Sequence, residues 1–204
     1  MRSTSDAWLL RPFEPRARKS IAARYHASIA TTARTDLSGR PIALAGFMGV
    51  GKTTIGRLLA ERLARPFYDT DGYVEAATGR SVEDFFLKQQ EPEFRQREAD
   101  AVNDLVAKGA VVIALGGGAL LNERSRSLLH ERSMLVHLHV PWNELRQRVP
   151  SLMATRPLMR NRTIDEIHQL YLDRQATYRS AALRIDIGHR SPAEAAAEIL
   201  LVVR

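Results

Sequence analysis

Residues 42–53 read Ile42-Ala43-Leu44-Ala45-Gly46-Phe47-Met48-Gly49-Val50-Gly51-Lys52-Thr53. Four apolar residues run into a glycine loop, and the loop runs into a helix-forming stretch. A short apolar run ended by glycine fits a strand buried on both faces of a parallel sheet. Gly46 to Thr53 matches G-x-x-x-x-G-K-(S/T), the phosphate loop or P-loop. Glycines let the backbone turn so that successive N–H groups point at phosphate oxygens, and the helix N-terminus adds a favourable dipole. Lys52 is expected to reach the terminal phosphates, and the Thr53 hydroxyl to ligate magnesium. A plain glycine turn before a helix is the bland alternative. The flanking strand and helix argue against it.

The pattern repeats downstream. A helix is expected from Thr53 to about Leu63, with Ile55, Leu58, Leu59 and Leu63 on one face. Phe67-Tyr68 heads a second strand that ends at Asp69. Helical spacing fills much of 72–107, with a capping box at Ser81 and Asp84. Ala110 to Leu115 is a further buried strand, again stopped by glycines, and Met134–Val140 and Leu183–Ile187 are two more. Thr163 with Glu166, and Ser191-Pro192 with Glu194, open the last two helices. Strands alternating with helices from Pro41 onward predict a three-layer α/β/α sandwich, with a parallel sheet of about five strands. Ligands in such folds sit beyond the carboxyl ends of the strands. Gly46–Thr53, Asp69–Asp71 and Gly116–Gly118 should therefore converge on one crevice.

Charge and composition narrow the function. The chain has 204 residues and a formal charge of +7. Residues 1–40 hold seven Arg and one Lys against Asp6, Glu14 and Asp36, a net of +5; the rest carries only +2. The basic balance thus belongs to the N-terminal stretch, and a nucleic-acid binder is not expected. Residues 1–40 show no sustained period and are read as a flexible extension, with 41–204 as the folded domain. The stretch is rich in Arg and Ser/Thr and poor in acids, as organellar transit peptides are; an untidy bacterial N-terminus is the plainer account. A cytoplasmic location is expected, with an organelle stroma as the alternative. No apolar run reaches the roughly 18 residues of a membrane span. Cysteine is absent, which removes disulfides, thiolate metal sites and a cysteine nucleophile.

Two further segments carry chemistry. If Asp69-Thr70-Asp71 is extended, both carboxylates point the same way, one for a metal shell and one for an acceptor hydroxyl. Asp71 as a plain cap for a helix starting at Gly72 is the competing account. Three glycines directly after a buried strand are entropically costly and make sense where a ligand approaches the backbone. His137 and His139 alternate in a strand and face one side, but no third ligand stands at suitable spacing, so a structural role is expected. Arg57, Arg62 and Arg65 read as the solvated face of the first helix.

The order of these pieces resembles the shikimate kinase family. Gly46–Thr53 is followed by Asp69-Thr70-Asp71 with Glu75, and then by Glu91-Pro92-Glu93-Phe94-Arg95 with Glu98. Gly116–Gly118, Arg156-Pro157-Leu158 and Arg174 near Tyr178-Arg179 complete it. The resemblance implies ATP bound at Gly46, Gly49, Val50, Gly51, Lys52, Thr53 and Thr54. Arg148 and Arg190 would lie near adenine. It implies magnesium at Thr53 and Asp69. It implies shikimate held by Asp71, Arg95, Gly117, Gly118 and Arg174, the arginines gripping the carboxylate. Glu98 would orient Arg95, and Arg156 would close over the transferring phosphate. Lys52, Asp71 and Arg156 are the implied catalytic residues. Gln90-Glu91 departs from the Gly-Glu of many relatives.

The expected activity is thus transfer of the ATP γ-phosphate to the shikimate 3-hydroxyl by a monomer, with neither nucleic acid nor membrane as partner. Two rivals are a kinase for another polyol acid such as gluconate, and a regulatory nucleotide-binding module without transfer.

Overall fold

The computed structural model describes residues 39–155, 159–160 and 162–203. The expected extension over 1–40 therefore lies almost wholly outside the described residues, and so does Arg156. The strands are β1 (Ile42–Ala45), β2 (Phe67–Asp69), β3 (Val112–Ala114), β4 (Met134–His139) and β5 (Leu183–Asp186). All pair in parallel, in the order β2-β3-β1-β4-β5. Residues 42–45 and 112–114 are fully buried, because the sheet is covered on both sides. The three-layer α/β/α architecture expected from alternation is the one found.

Handedness dictates the layers. The chain moves one way along the sheet from β1 to β2, through α1 (Lys52–Leu63), and the other way afterwards. Right-handed crossovers therefore put α1 on one face. The later connections lie on the other face: α2 (Thr70–Thr78), α3 (Val82–Leu87), α4 (Glu91–Ala107), α5 (Glu123–Arg132), α6 (Trp142–Leu145), α7 (Val149–Thr155) and α8 (Ile164–Tyr178). The last helix, α9 (Pro192–Val203), returns to pack on α1. No helix among the described residues is long and apolar enough to cross a membrane.

Local signals set most helix starts. Ser81 with Asp84, and Thr163 with Glu166, form capping boxes. Ser191 and Glu194 make the same reciprocal pair of bonds before α9. The helical pair α3–α4 has its own aromatic cluster. Phe85 and Phe94 lie 5.8 Å apart, with Val74 and Ala101 buried beside them. Arg80 covers Phe85 at 3.8 Å and reaches Glu93 at 3.3 Å, tying the start of α4 to the turn before α3. Pro92 sits in the first turn of α4, where its missing N–H costs nothing.

One start differs from expectation. Residues 69–71 are not extended: α2 begins at Thr70, and Asp69 caps it by accepting from the Asp71 N–H at 3.1 Å. The orphan amides of a helix end bind the nearest carboxylate, so the cap falls on Asp69 rather than Asp71. The two carboxylates therefore leave from a strand end and a first helical turn.

His137 is buried in β4, 5.1 Å from the Tyr178 ring, and its Nδ1 finds no partner among the described residues. Burial, helped by His139 and Arg184, pushes its pKa down from 6.5 to about 4. The unfolded chain binds this proton near 6.5 and the folded chain only near 4, so acidification through that window favours unfolding. The expected loss is at most about 3 kcal/mol. Urea titrations from pH 7 to 4 should show it, and His137→Leu should flatten that part of the profile.

Candidate active site

The phosphate loop joins β1 to α1 and meets the helix at Gly51, which adopts φ 100°. A side chain there would be strained, so the turn that aims the helix N-terminus needs glycine. Lys52 folds along the loop, its Nζ donating to the carbonyls of Gly46 at 2.9 Å and Phe47 at 3.1 Å. Thr53 Oγ1 donates to Asp69 Oδ2 at 2.8 Å. The cap carboxylate thus serves two groups at once, the α2 backbone and the Thr53 hydroxyl. These oxygens are hard donors at the mouth of the loop, the type a divalent magnesium ion accepts.

Thr70, between the two aspartates, is wholly buried, and its hydroxyl accepts from the Gly116 N–H at 2.7 Å. This bond docks the glycine loop that follows β3 onto the start of α2. A β-carbon on Gly116 would collide with Glu98 Oε1 and come within 2.6 Å of Asp71 Oδ1. Both carboxylates therefore crowd the backbone of Gly116, and only glycine leaves them room.

Arg95 and Glu98 lie one turn apart on α4. Arg95 Nη1 donates to Glu98 Oε2 at 2.8 Å, and its other edge donates to Glu91 Oε1 at 2.9 and 3.1 Å. Burial works against the Arg95 charge, but Glu98 and Glu91 outweigh it and hold the pKa above its ordinary value. Burial pushes the Glu98 pKa up, against the pull of Arg95. Arg174 enters from α8, 3.5 Å from the Gly117 carbonyl, its pKa lowered chiefly by burial. A guanidinium stays charged under such a shift.

These groups share one cavity of about 590 Å³. Gly49, Gly51, Lys52, Thr53 and Thr54 line it from the phosphate loop and α1. Asp69 and Asp71 line it beyond β2, and Gly117 and Gly118 beyond β3. Arg95 and Arg174 close the far side. Gly46 and Val50 are not among the lining residues; Val50 packs beneath the loop, 3% exposed. Arg148 is outside the lining too, donating to the Gly49 carbonyl at 2.9 Å. Arg190 pairs with Glu198 on α9 and does not reach the cavity wall. Glu83 and Phe86 also line the cavity, from α3. Their place depends on how α3 folds over α4, which no local motif announces.

A phosphate loop and an arginine-lined pocket facing each other across one crevice define a phosphotransferase of the small-molecule kinase class. Comparison with known proteins agrees. The family model described as shikimate kinase matches residues 48–204. A shikimate kinase of Bacillus subtilis is 37% identical over 158 residues, covering 77% of this chain and 85% of that one. A solved shikimate kinase of Acinetobacter baumannii in complex with shikimate is 35% identical, with a TM-score of 0.75, covering 80% of this chain and 92% of that one. The Aquifex aeolicus shikimate kinase is 34% identical, with a TM-score of 0.67, covering 79% of this chain and 94% of that one. The chain belongs to the shikimate kinase family.

Proposed function

We propose that this chain transfers the terminal phosphate of ATP to the 3-hydroxyl of shikimate, giving shikimate 3-phosphate and ADP in aromatic amino acid biosynthesis. One observation carries the choice of acceptor. Arg95, Arg174 and the Gly117–Gly118 backbone meet in the cavity that also holds Lys52 and Thr53. Two planar guanidinium groups and free peptide N–H groups suit a carboxylate, and they stand where a small acid would face a terminal phosphate.

The residue roles follow from that arrangement. The loop amides from Gly46 to Thr54 cradle the phosphates, and Lys52 swings from the loop carbonyls onto the phosphoryl oxygens. Arg95 and Arg174 grip the carboxylate, with Gly117 and Gly118 donating beside them. Asp71 binds the acceptor hydroxyls and receives the proton of the attacking one. Thr53 and Asp69 would hold magnesium. Magnesium, when bound, would neutralise charge developing between the two outer phosphates. Among the described residues no cluster of three His, Cys, Asp or Glu side chains exists, so most of its ligands would be phosphate oxygens and water. Arg148 would flank the nucleotide from its bond to Gly49. Arg156 would close the site, and its role rests on the family motif. An adenine role for Arg190 would require it to leave Glu198. Action as a monomer is part of the same proposal. A cytoplasmic location belongs to the same proposal, with an organelle stroma as the alternative if residues 1–40 act as a transit peptide.

Coupled ADP formation with shikimate, and with quinate and gluconate as controls, tests the acceptor. Shikimate is expected to drive turnover and the controls to give little. Equal turnover with gluconate would reject the assignment.

A further inference from the structure

We infer that Tyr178 is a positioning residue for the acceptor carboxylate: its hydroxyl turns the Gly117–Gly118 peptide so that the Gly118 N–H faces the ligand beside Arg95. This rests on the shikimate site proposed above. Tyr178 stands at the end of α8 and is 2% exposed. Its hydroxyl donates to the Gly117 carbonyl at 2.8 Å. The peptide is trans, so its N–H points opposite to its carbonyl. With the carbonyl drawn to Tyr178, the Gly118 N–H is turned the other way, and it has no hydrogen-bond partner among the described residues. A β-carbon on Gly118 would collide with Arg95 Nη1, so the Gly118 Cα, one bond from this N–H, packs against the guanidinium. An N–H and a guanidinium that close together are a paired donor set for one carboxylate.

The same hydroxyl frees a second donor. Arg174 Nη1 lies 3.5 Å from the Gly117 carbonyl, at the outer limit of a hydrogen bond. Tyr178 holds that carbonyl at the shorter distance, which leaves Arg174 only a long contact to the backbone. Without the phenol, the carbonyl would draw Arg174 in and the peptide plane could turn. Burial pushes the Tyr178 pKa up, which keeps the phenol a donor at every working pH. His137 braces the ring at 5.1 Å, and Thr70 holds the other end of the loop through Gly116. Tyr178 is thus a support for two donors that belong to other residues, the Gly118 N–H and Arg174.

The test uses the full chain and Tyr178→Phe, which keeps the ring and removes the hydroxyl. Shikimate is titrated at saturating ATP, and ATP at saturating shikimate. The KM for shikimate is expected to rise about tenfold, the effect of roughly one hydrogen bond, with the KM for ATP unchanged. Shikimate methyl ester, which lacks the carboxylate charge, is the control. The preference for shikimate over the ester should shrink by about the same factor. An unchanged shikimate KM, or an equal rise for ATP and shikimate, overturns the inference and leaves Tyr178 a core residue. A wild-type chain that turns over no shikimate fails the proposed function and this inference together. If Tyr178→Phe does not fold, the 15N-labelled wild type gives a second readout. The Gly118 amide resonance should move with shikimate and not with the methyl ester; an unmoved resonance overturns the inference.

Discussion

Lys52→Ala is expected to lower kcat by roughly a hundred- to a thousandfold while the chain stays folded. The lysine is half-buried at the mouth of the loop and carries no core packing. Two of its bonds run to the carbonyls of Gly46 and Phe47, and it lines the cavity, so its removal opens that side of the loop to water. Stability should therefore fall by only about 1 kcal/mol. The phosphoryl oxygens, in contrast, gather charge in the transition state and have few donors to share it. Removing one such donor costs about 3–4 kcal/mol of barrier. The ATP KM should change less than kcat, because the loop amides still hold the ground-state phosphates. Coupled turnover together with a thermal melt measures both sides. A folded Lys52→Ala protein working at the normal rate would falsify the mechanism.

Arg95→Ala should damage both binding and stability, and for different reasons. Its guanidinium is proposed to grip the shikimate carboxylate, and a charge-assisted pair of that kind is worth about 1.5–3 kcal/mol. The shikimate KM should rise by one to two orders of magnitude, with the ATP KM unchanged. The second effect lies behind the ligand. Glu98 is 2% exposed and Arg95 is the cation that compensates it. Removing that partner leaves a buried carboxylate with no hydrogen-bonded cation and only the more distant charge of Arg174, at a cost of about 3 kcal/mol. Burial already raises the Glu98 pKa above 4.5, and losing Arg95 raises it further. A carboxyl with a raised folded pKa is destabilising when ionised, so the deficit is full above the folded pKa. It should shrink as pH falls through the folded pKa and vanish below 4.5, where the proton is bound in both states. Denaturant titrations at pH 8 and pH 5 separate this from the kinetic effect. Arg95→Lys divides the two roles. It keeps a charge near Glu98 but loses the planar fork, so stability should recover more than the shikimate KM. A shikimate KM untouched by Arg95→Lys would favour an acceptor held in another way.

The sequence by itself determined what depends on near neighbours. The strand before Gly46, the left-handed turn at Gly51 and the helix after it follow from residues a few positions apart. So do the caps at Ser81, Thr163 and Ser191, where one side chain answers amides two or three residues away. The alternation of these elements was enough to expect a parallel sheet, and strand ends in such a sheet converge. The convergence of Asp71, Gly117 and Lys52 on one cavity was legible for that reason.

Tertiary structure decided what depends on which distant groups meet. Asp69 caps α2 with one carboxylate oxygen, and only packing brings Thr53, sixteen positions earlier, to the other. Thr70 shows no signal between two aspartates, yet its hydroxyl holds Gly116 across 46 positions. Tyr178 marks only the end of a motif in the sequence and reaches the Gly117 carbonyl across 61. Arg190 finds Glu198 on the next helix rather than the cavity. A hydrogen bond is short and directional, so its partner is settled by where packed elements put the atoms. Periodicity and caps define the elements; only their packing brings donor and acceptor within three ångströms.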